Sequence, residues 1–327
     1  MVRVSGRPLL ILSEENVREL LDMSSCIRVM ETALTGLERG ELTMPLRFVV
    51  RTGGETLMGL MPAYRGGENP LFSLKEIVIA PGNSARGLDP HQGGVMLHDG
   101  ATGELIALLN ASAITEIRTA AVSGVATKLL ARPDARTVAI LGTGVQGRSH
   151  AIAMREVVPD AELRIWSRTP AHAEALALEA HGVVCETAQE AVSGADIVCT
   201  CTSSPEPIVE LDWLAPGTHV NAVGSSVPWA CELSPQLFAA ASLFVDRRES
   251  TLNESGDYLR AVEQVGIGPD HIKAELGELL TGTHPGRGSA DELTLFKSLG
   301  LAVEDLAAAD LVVGRALEAG IGTEVAF

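Results

Sequence analysis

Gly142-Thr143-Gly144-Val145-Gln146-Gly147 directly follows the apolar run Thr137-Val138-Ala139-Ile140-Leu141. Glycines at the first, third and sixth positions, set between a strand and a helix, suit the pyrophosphate of a dinucleotide. The first permits a tight turn, the second lets the backbone approach the phosphates, and the third lets the helix pack close to the strand. The helix that follows offers free N–H groups to the anion. Gly142, Gly144, Val145, Gln146 and Gly147 are therefore candidate cofactor-binding residues. A GxGxxG alone is a weak signal; its flanks give it weight.

Downstream, strands and helices alternate. Strand-like runs fall at 137–141, 162–166, 183–186, 197–201, 219–223 and 243–246. Six strands in this rhythm indicate an α/β fold with a doubly wound parallel sheet of the Rossmann type. The stretch 293–319 reads as helical, and Gly320-Ile321-Gly322 ends it. Upstream the pattern differs. Residues 13–40 read as two helices, one opening at Ser13-Glu14-Glu15 and one at Ser24-Ser25. Short β-type runs then follow at 46–52, 56–64, 72–80, 94–99 and 105–109, with Asp99-Gly100 and Thr102-Gly103 marking the last hairpin. No helix separates them, which implies an antiparallel sheet. An Ala-rich helix at about 112–131 ends at Arg132-Pro133-Asp134. The expected organisation is a smaller, discontinuous α+β platform for substrate binding and dimerisation, 1–118 completed by 304–327, and a dinucleotide-binding domain, 119–303.

The chain of 327 residues is 46% hydrophobic and carries a formal net charge of −17. That charge argues against nucleic acid and anionic membranes as partners. It leaves a small anionic substrate open, since a few buried cations can set a local field. Five cysteines, Cys26, Cys185, Cys199, Cys201 and Cys231, make an odd number without paired CxxC motifs. A reduced, cytoplasmic compartment fits, with Cys199 and Cys201 as small core residues. Leu9–Leu12 is too short for a signal-peptide core, and no run is long enough to span a bilayer. No HExxH, P-loop, GxSxG or zinc spacing occurs, so no metal is expected.

The second strand of the parallel domain ends in Ser167-Arg168-Thr169. An acidic residue there would bind the ribose 2′-OH of NAD. Two hydroxyls and a guanidinium suit a 2′-phosphate instead, which favours NADP(H) while leaving NAD(H) possible. In the platform, Lys75 shares a strand face with Ile77 and Ile79, so a buried ammonium there needs an anionic partner. Arg47 follows Pro45 in the first strand, and Arg118 sits among Ile114, Ile117, Ala120 and Ala121. Three such cations could clamp a carboxylate, with Arg providing a bidentate fork. His91 reads as a packing or capping residue; Glu254-Ser255-Gly256-Asp257 reads as a helix cap, with Asp257 or Glu254 near a ligand as the alternative.

These residues carry a family resemblance. Gly59-Leu60-Met61-Pro62-Ala63-Tyr64, Arg118-Thr119-Ala120-Ala121-Val122-Ser123, Gly142–Gly147 with Ser149-His150, and Arg164-Ile165-Trp166-Ser167-Arg168-Thr169 resemble the ornithine cyclodeaminase and mu-crystallin family. So do Asn221-Ala222-Val223-Gly224, Glu254-Ser255-Gly256-Asp257 and Phe296-Lys297-Ser298-Leu299-Gly300. The resemblance implies a homodimer with a Rossmann domain and a platform that makes the dimer. It implies that Arg47, Lys75 and Arg118 match the substrate-carboxylate cations, with Lys75 and Arg118 as the catalytic candidates. Thr119, Thr202 and the 221–225 strand end, with Val223, Gly224 and Ser225, would line the cofactor.

Three positions depart from the cyclodeaminase pattern. Ser226 stands where cyclodeaminases have an acidic residue, Gly59 replaces a platform glutamate, and Ser167-Arg168-Thr169 replaces the NAD-type aspartate. Gly59 and Ser226 then fall on the substrate side. The departures point to the mu-crystallin type, an NADPH-dependent reductase of small, cyclic α-imino acids such as pyrroline-2-carboxylate or piperideine-2-carboxylate. The alternatives are an amino-acid dehydrogenase or acyclic imino-acid reductase, then a cyclodeaminase, then a non-catalytic NADP(H)-binding protein.

Overall fold

The computed structural model describes residues 8–54 and 56–327, Ser84 through its backbone alone. The chain divides into two compact units. One runs up to Arg118 and is completed by Leu301–Phe327; the other is Thr119–Gly300.

The first unit opens with β1 (Leu9–Leu12), α1 (Glu14–Leu20) and α2 (Met23–Glu38). Ser13 caps α1: its Oγ accepts the Asn16 N–H, and Asn16 Oδ1 accepts the Ser13 N–H. Asp22, rather than a serine, caps α2, accepting the Ser25 N–H at 2.8 Å. A carboxylate one turn earlier satisfies the same orphan donors, which moves the expected start of this helix back. Then come β2 (Leu42–Thr43), β3 (Phe48–Arg51), β4 (Leu57–Arg65), β5 (Leu71–Ile79), β6 (His91–Asp99) and β7 (Leu105–Asn110).

β4 to β7 form consecutive antiparallel pairs, as their close succession predicts, and β1 adds to β7 in parallel. Asp99 holds the β6–β7 turn, accepting the N–H groups of Ala101 and Thr102. Alternation splits this sheet into two faces. Met61, Ala63, Ser73, Lys75, Ile77, Val95, Leu97 and Leu109 are buried on one. Phe48, Val50 and Phe72, which the register assigns to the other, stay exposed. The buried face is covered by the late helix α11 (Ala302–Ala319), before the closing strand β16 (Thr323–Val325) pairs with β1.

Within α3 (Ala111–Leu130) the chain passes from one unit to the other. The second unit then contains β8 (Thr137–Leu141), α4 (Val145–Val157), β9 (Glu162–Trp166), α5 (Pro170–Ala180), β10 (Val183–Val184) and α6 (Ala188–Val192). It continues with β11 (Ile197–Thr200), β12 (His219–Ala222), α7 (Pro235–Ala240), β13 (Ser242–Val245), α8 (Arg248–Glu254), α9 (Gly256–Val265), β14 (Ile272–Glu275), α10 (Leu276–Leu280) and β15 (Thr294–Lys297). Among the described residues the sheet runs β10-β9-β8-β11-β12-β15-β13-β14, and its pairings are parallel. The doubly wound fold stands as read.

Two strands exceed the six expected. One corrects the helical reading of 293–319: β15 is a central strand between β12 and β13, and the helix starts only at Ala302. All four residues of β15 are buried. A strand covered on both faces shows no period-2 alternation, so a short apolar run there looks like helix. Gly300, at φ +79°, separates the two elements. No described helix is long and apolar enough to cross a membrane.

Candidate active site

The three loop glycines meet three different surroundings. Gly142 has φ +105°, and a Cβ there would press on the Cys201 carbonyl. A Cβ on Gly147 would overlap the Gly142 carbonyl oxygen, so helix α4 can sit this close to the loop only with glycine. Gly144 differs: a Cβ there would meet nothing within 4 Å. The turn and the helix packing are thus fixed by the outer glycines, while the middle one leaves open space. Gly144 is the N-cap of α4 and offers no side-chain cap, so first-turn N–H groups, near Val145 and Gln146, remain for an anion. The loop fits a dinucleotide pyrophosphate on each count.

At the tip of β9, Ser167 Oγ accepts the Thr169 N–H, and the exposed Arg168 guanidinium has no partner among the described residues. Thr202 and Gly224 follow the ends of β11 and β12. Both are held by Glu232, a fully buried carboxylate that sequence reading missed. Glu232 Oε1 accepts the Thr202 N–H at 2.6 Å and its hydroxyl at 2.7 Å. Oε2 accepts the Thr200 hydroxyl and the Gly224 N–H, each at 2.7 Å. Burial pushes the Glu232 carboxyl above its ordinary value, against the pull of Lys297 and the two threonines.

Beside it Lys297 pairs with Asp257 at 3.1 Å, both wholly buried, and donates to the Ala222 carbonyl at 3.2 Å. Asp257 Oδ1 accepts the N–H groups of Glu232 and Leu233. The expected cap at 254–257 falls to Ser255, which caps α9 and leaves Asp257 for this pair. Asn221, expected at the cofactor, turns inward and donates to Thr127 Oγ1. Ser225 Oγ is spent on the Ala230 carbonyl at 2.6 Å, while the half-buried Ser226 has no partner among the described residues.

The platform gathers a second charged cluster. Lys75 Nζ lies 2.7 Å from Asp305 Oδ2, the anionic partner its burial demanded. Arg118 spans two acids, with Nε 3.0 Å from Asp305 Oδ1 and Nη1 2.6 Å from Glu304 Oε2. All four side chains are buried, 0–4% exposed, so none of these charges is screened by bulk water. Burial is the main influence on Lys75 and brings its ammonium down to about 8; Arg118 and Arg47 push the same way, and Asp305 opposes. Arg47 immediately precedes β3, and extending that register sets it level with Met61, the partner of Lys75. Gly59 lies two residues from Met61 on the same face, where a Cβ would touch Ile77 at 3.4 Å.

Sequence reading found the cations and missed Glu304 and Asp305. Both lie in the first turn of α11, where acidic residues are routine, and the capping bond from the Leu301 N–H to Glu304 is the expected one. Their complete burial is the signal that sets them apart. The five cysteines are free and buried, with the Cys199 thiol pushed up to about 12 by burial, so they belong to the core.

The model of the ornithine cyclodeaminase/mu-crystallin family matches residues 8–320. The chain belongs to this family. Within it, the chain is 42% identical over 308 residues to the ketimine reductase mu-crystallin of Mus musculus, covering 92% of this chain and 95% of the relative. A Thermococcus litoralis Delta(1)-pyrroline-2-carboxylate reductase, solved with NADH and L-proline, superposes with a TM-score of 0.92 at 35% identity, over 97% of this chain and 100% of that one. An archaeal alanine dehydrogenase dimer with bound NAD gives a TM-score of 0.92 at 30% identity, over 97% and 98%. Both of these structures hold a nicotinamide dinucleotide, and the glycine loop described above suits the pyrophosphate of such a group.

Proposed function

We propose that the protein is an NADPH-dependent reductase of small α-imino acids, foremost cyclic ketimine carboxylates, working as a cytoplasmic homodimer. The observation that carries this reading is the pair of buried, oriented cations in the platform cluster. Lys75 and Arg118 are held by Asp305 and Glu304, and the Arg47 charge reaches Lys75. Cations fixed in this way suit a substrate carboxylate, with a guanidinium for a bidentate fork. The named activities of the mouse and Thermococcus relatives point the same way.

A nicotinamide dinucleotide, its pyrophosphate at the 142–147 loop, would supply a hydride for the C=N carbon. The protein's own groups do the rest. Asp305 and Glu304 fix Arg118 and Lys75 in place, so the substrate meets cations already oriented. Lys75, held near 8, can release its proton to the nitrogen that becomes the product amine and regain one from solvent. A protonated iminium is electrophilic already, so orientation suffices. Gly59 and Ser226 add no acid, consistent with reduction rather than ammonia loss.

Arg168, exposed and unpartnered among the described residues, supports NADP(H) over NAD(H). The exposed Phe48, Val50 and Phe72 on the open sheet face, together with the dimeric alanine dehydrogenase, support self-association. That same neighbour favours one second reading, reductive amination of a 2-oxo acid. The test is cofactor oxidation with pyrroline- and piperideine-2-carboxylate, and with pyruvate plus ammonia, using NADPH and NADH in parallel. Turnover of the ketimines without ammonia supports the first reading; an absolute ammonia requirement supports the second. Arg168→Ser should lower the NADPH-over-NADH preference about tenfold or more.

A further inference from the structure

We infer that Glu232, Lys297 and Asp257 form a buried electrostatic device that favours the oxidised over the reduced cofactor, and so drives hydride release. The inference rests on the reading that a nicotinamide dinucleotide binds this unit. In doubly wound sheets the dinucleotide lies across the carboxyl ends of the strands at the point where strand order reverses, here between β8 and β11. The half of the sheet beyond that point, β11 and β12, is the half to which the nicotinamide belongs.

Glu232 is fastened to the last residue of β11 and to the loops after β11 and β12. Four donors, from Thr200, Thr202 and Gly224, converge on its two oxygens. The fit leaves no room for change at Gly224, where a Cβ would overlap the Thr202 carbonyl and crowd Glu232 Oε1. Four converging donors suit a carboxylate anion. Among the described residues one ammonium, Lys297, stands against the two carboxylates, and it is committed to Asp257. Arg260, whose charge Asp257 also feels, is itself paired with Glu206 at 2.7 Å.

Two acids against one base leave a surplus negative charge in a wholly buried setting. The nicotinamide ring is positive when oxidised and neutral when reduced, so a fixed negative field discriminates between them. A clamp that merely shaped the loops would hold both forms alike.

The experiment measures dissociation constants of NADP+ and NADPH, and of NAD+ and NADH, by calorimetry without substrate. It compares the wild-type protein with Glu232→Gln and Asp257→Asn. Wild-type protein should bind the oxidised form at least as tightly as the reduced form. Each variant should weaken the oxidised form about tenfold relative to the reduced one. Asp257→Asn keeps the Oδ1 acceptor for two backbone N–H groups, so it reports even if Glu232→Gln fails to fold. Equal weakening of both forms in either variant would reduce the cluster to a structural clamp and overturn the inference. So would wild-type protein that binds the reduced form tenfold more tightly. Absence of any dinucleotide binding by wild-type protein would instead overturn the functional reading beneath it.

Discussion

Each unit buries a lysine against an aspartate, and the two pairs keep opposite company. Lys75 and Asp305 sit with Arg118 and Glu304, and the further charges that Lys75 feels, those of Arg118 and Arg47, are positive. Lys297 and Asp257 sit with Glu232, so acids outnumber the base. Burial raises the cost of both clusters, because an ion pair away from water seldom stabilises more than apolar packing would. Stability alone gives little reason to keep either. What distinguishes them is the sign of the neighbouring charge, positive around Lys75 and negative around Lys297, which suits the anionic substrate and the cationic ring proposed above.

The largest effect should come from removing one lysine from each pair. Lys75→Met leaves two acids facing Arg118, and should lower kcat/KM at least ~100-fold and stability by about 3–5 kcal/mol in urea unfolding. Adding Asp305→Asn should restore most of the stability and none of the activity. Recovery of both would make the platform pair a scaffold and dissolve the contrast. Lys297→Met should cost comparable stability, since it leaves Asp257 and Glu232 buried without a base.

A second comparison sits within the glycine loop. Gly147→Ala must push against the Gly142 carbonyl, whereas Gly144→Ala enters open space. Gly147→Ala should lower both the melting temperature and dinucleotide affinity. Gly144→Ala should leave the melting temperature unchanged and weaken dinucleotide binding by about tenfold, because it fills the space a phosphate would use. Equal melting losses in the two variants would contradict the assignment of separate roles.

The smallest effect separates the units by pH. In the nucleotide unit burial pulls His150 down to about 4 and His219 to about 3, from 6.5. Below 6.5 the unfolded chain binds protons that these rings refuse, so stability falls as pH drops through that window. The slope should be about 1 kcal/mol per pH unit for each histidine. His91 in the platform, with half its side chain exposed, should contribute less. From pH 7 downward, amide protection factors, corrected for the intrinsic exchange rate at each pH, should therefore fall first around His150 and Ser123, whose side chains are hydrogen-bonded at 2.9 Å. Loss of protection in the platform first would reverse the comparison.

The cations were legible in the sequence because a charge in an apolar stretch is conspicuous: Lys75 beside Ile77, Arg118 between Ile117 and Ala120. Their acids were not. Glu304 and Asp305 occupy a helix N-terminus where acids are common, and only the packing of α11 on the platform sheet reveals their burial. Glu232 and Asp257 stand 25 residues apart in chain positions that resemble caps and turns, and they meet through backbone N–H groups that no spacing rule encodes. The parallel sheet was legible through its alternation with helices. Strand β15 was not, since a fully buried strand and a short helix share one apolar signature.

Reduction of a preformed C=N bond can be followed as the loss of NADPH absorbance when pyrroline-2-carboxylate is added in ammonia-free buffer, with proline measured as product. Stoichiometric NADPH oxidation and proline formation are expected, abolished by Lys75→Met. No oxidation with any cyclic ketimine carboxylate, alongside turnover of pyruvate only when ammonia is present, would contradict imine reduction.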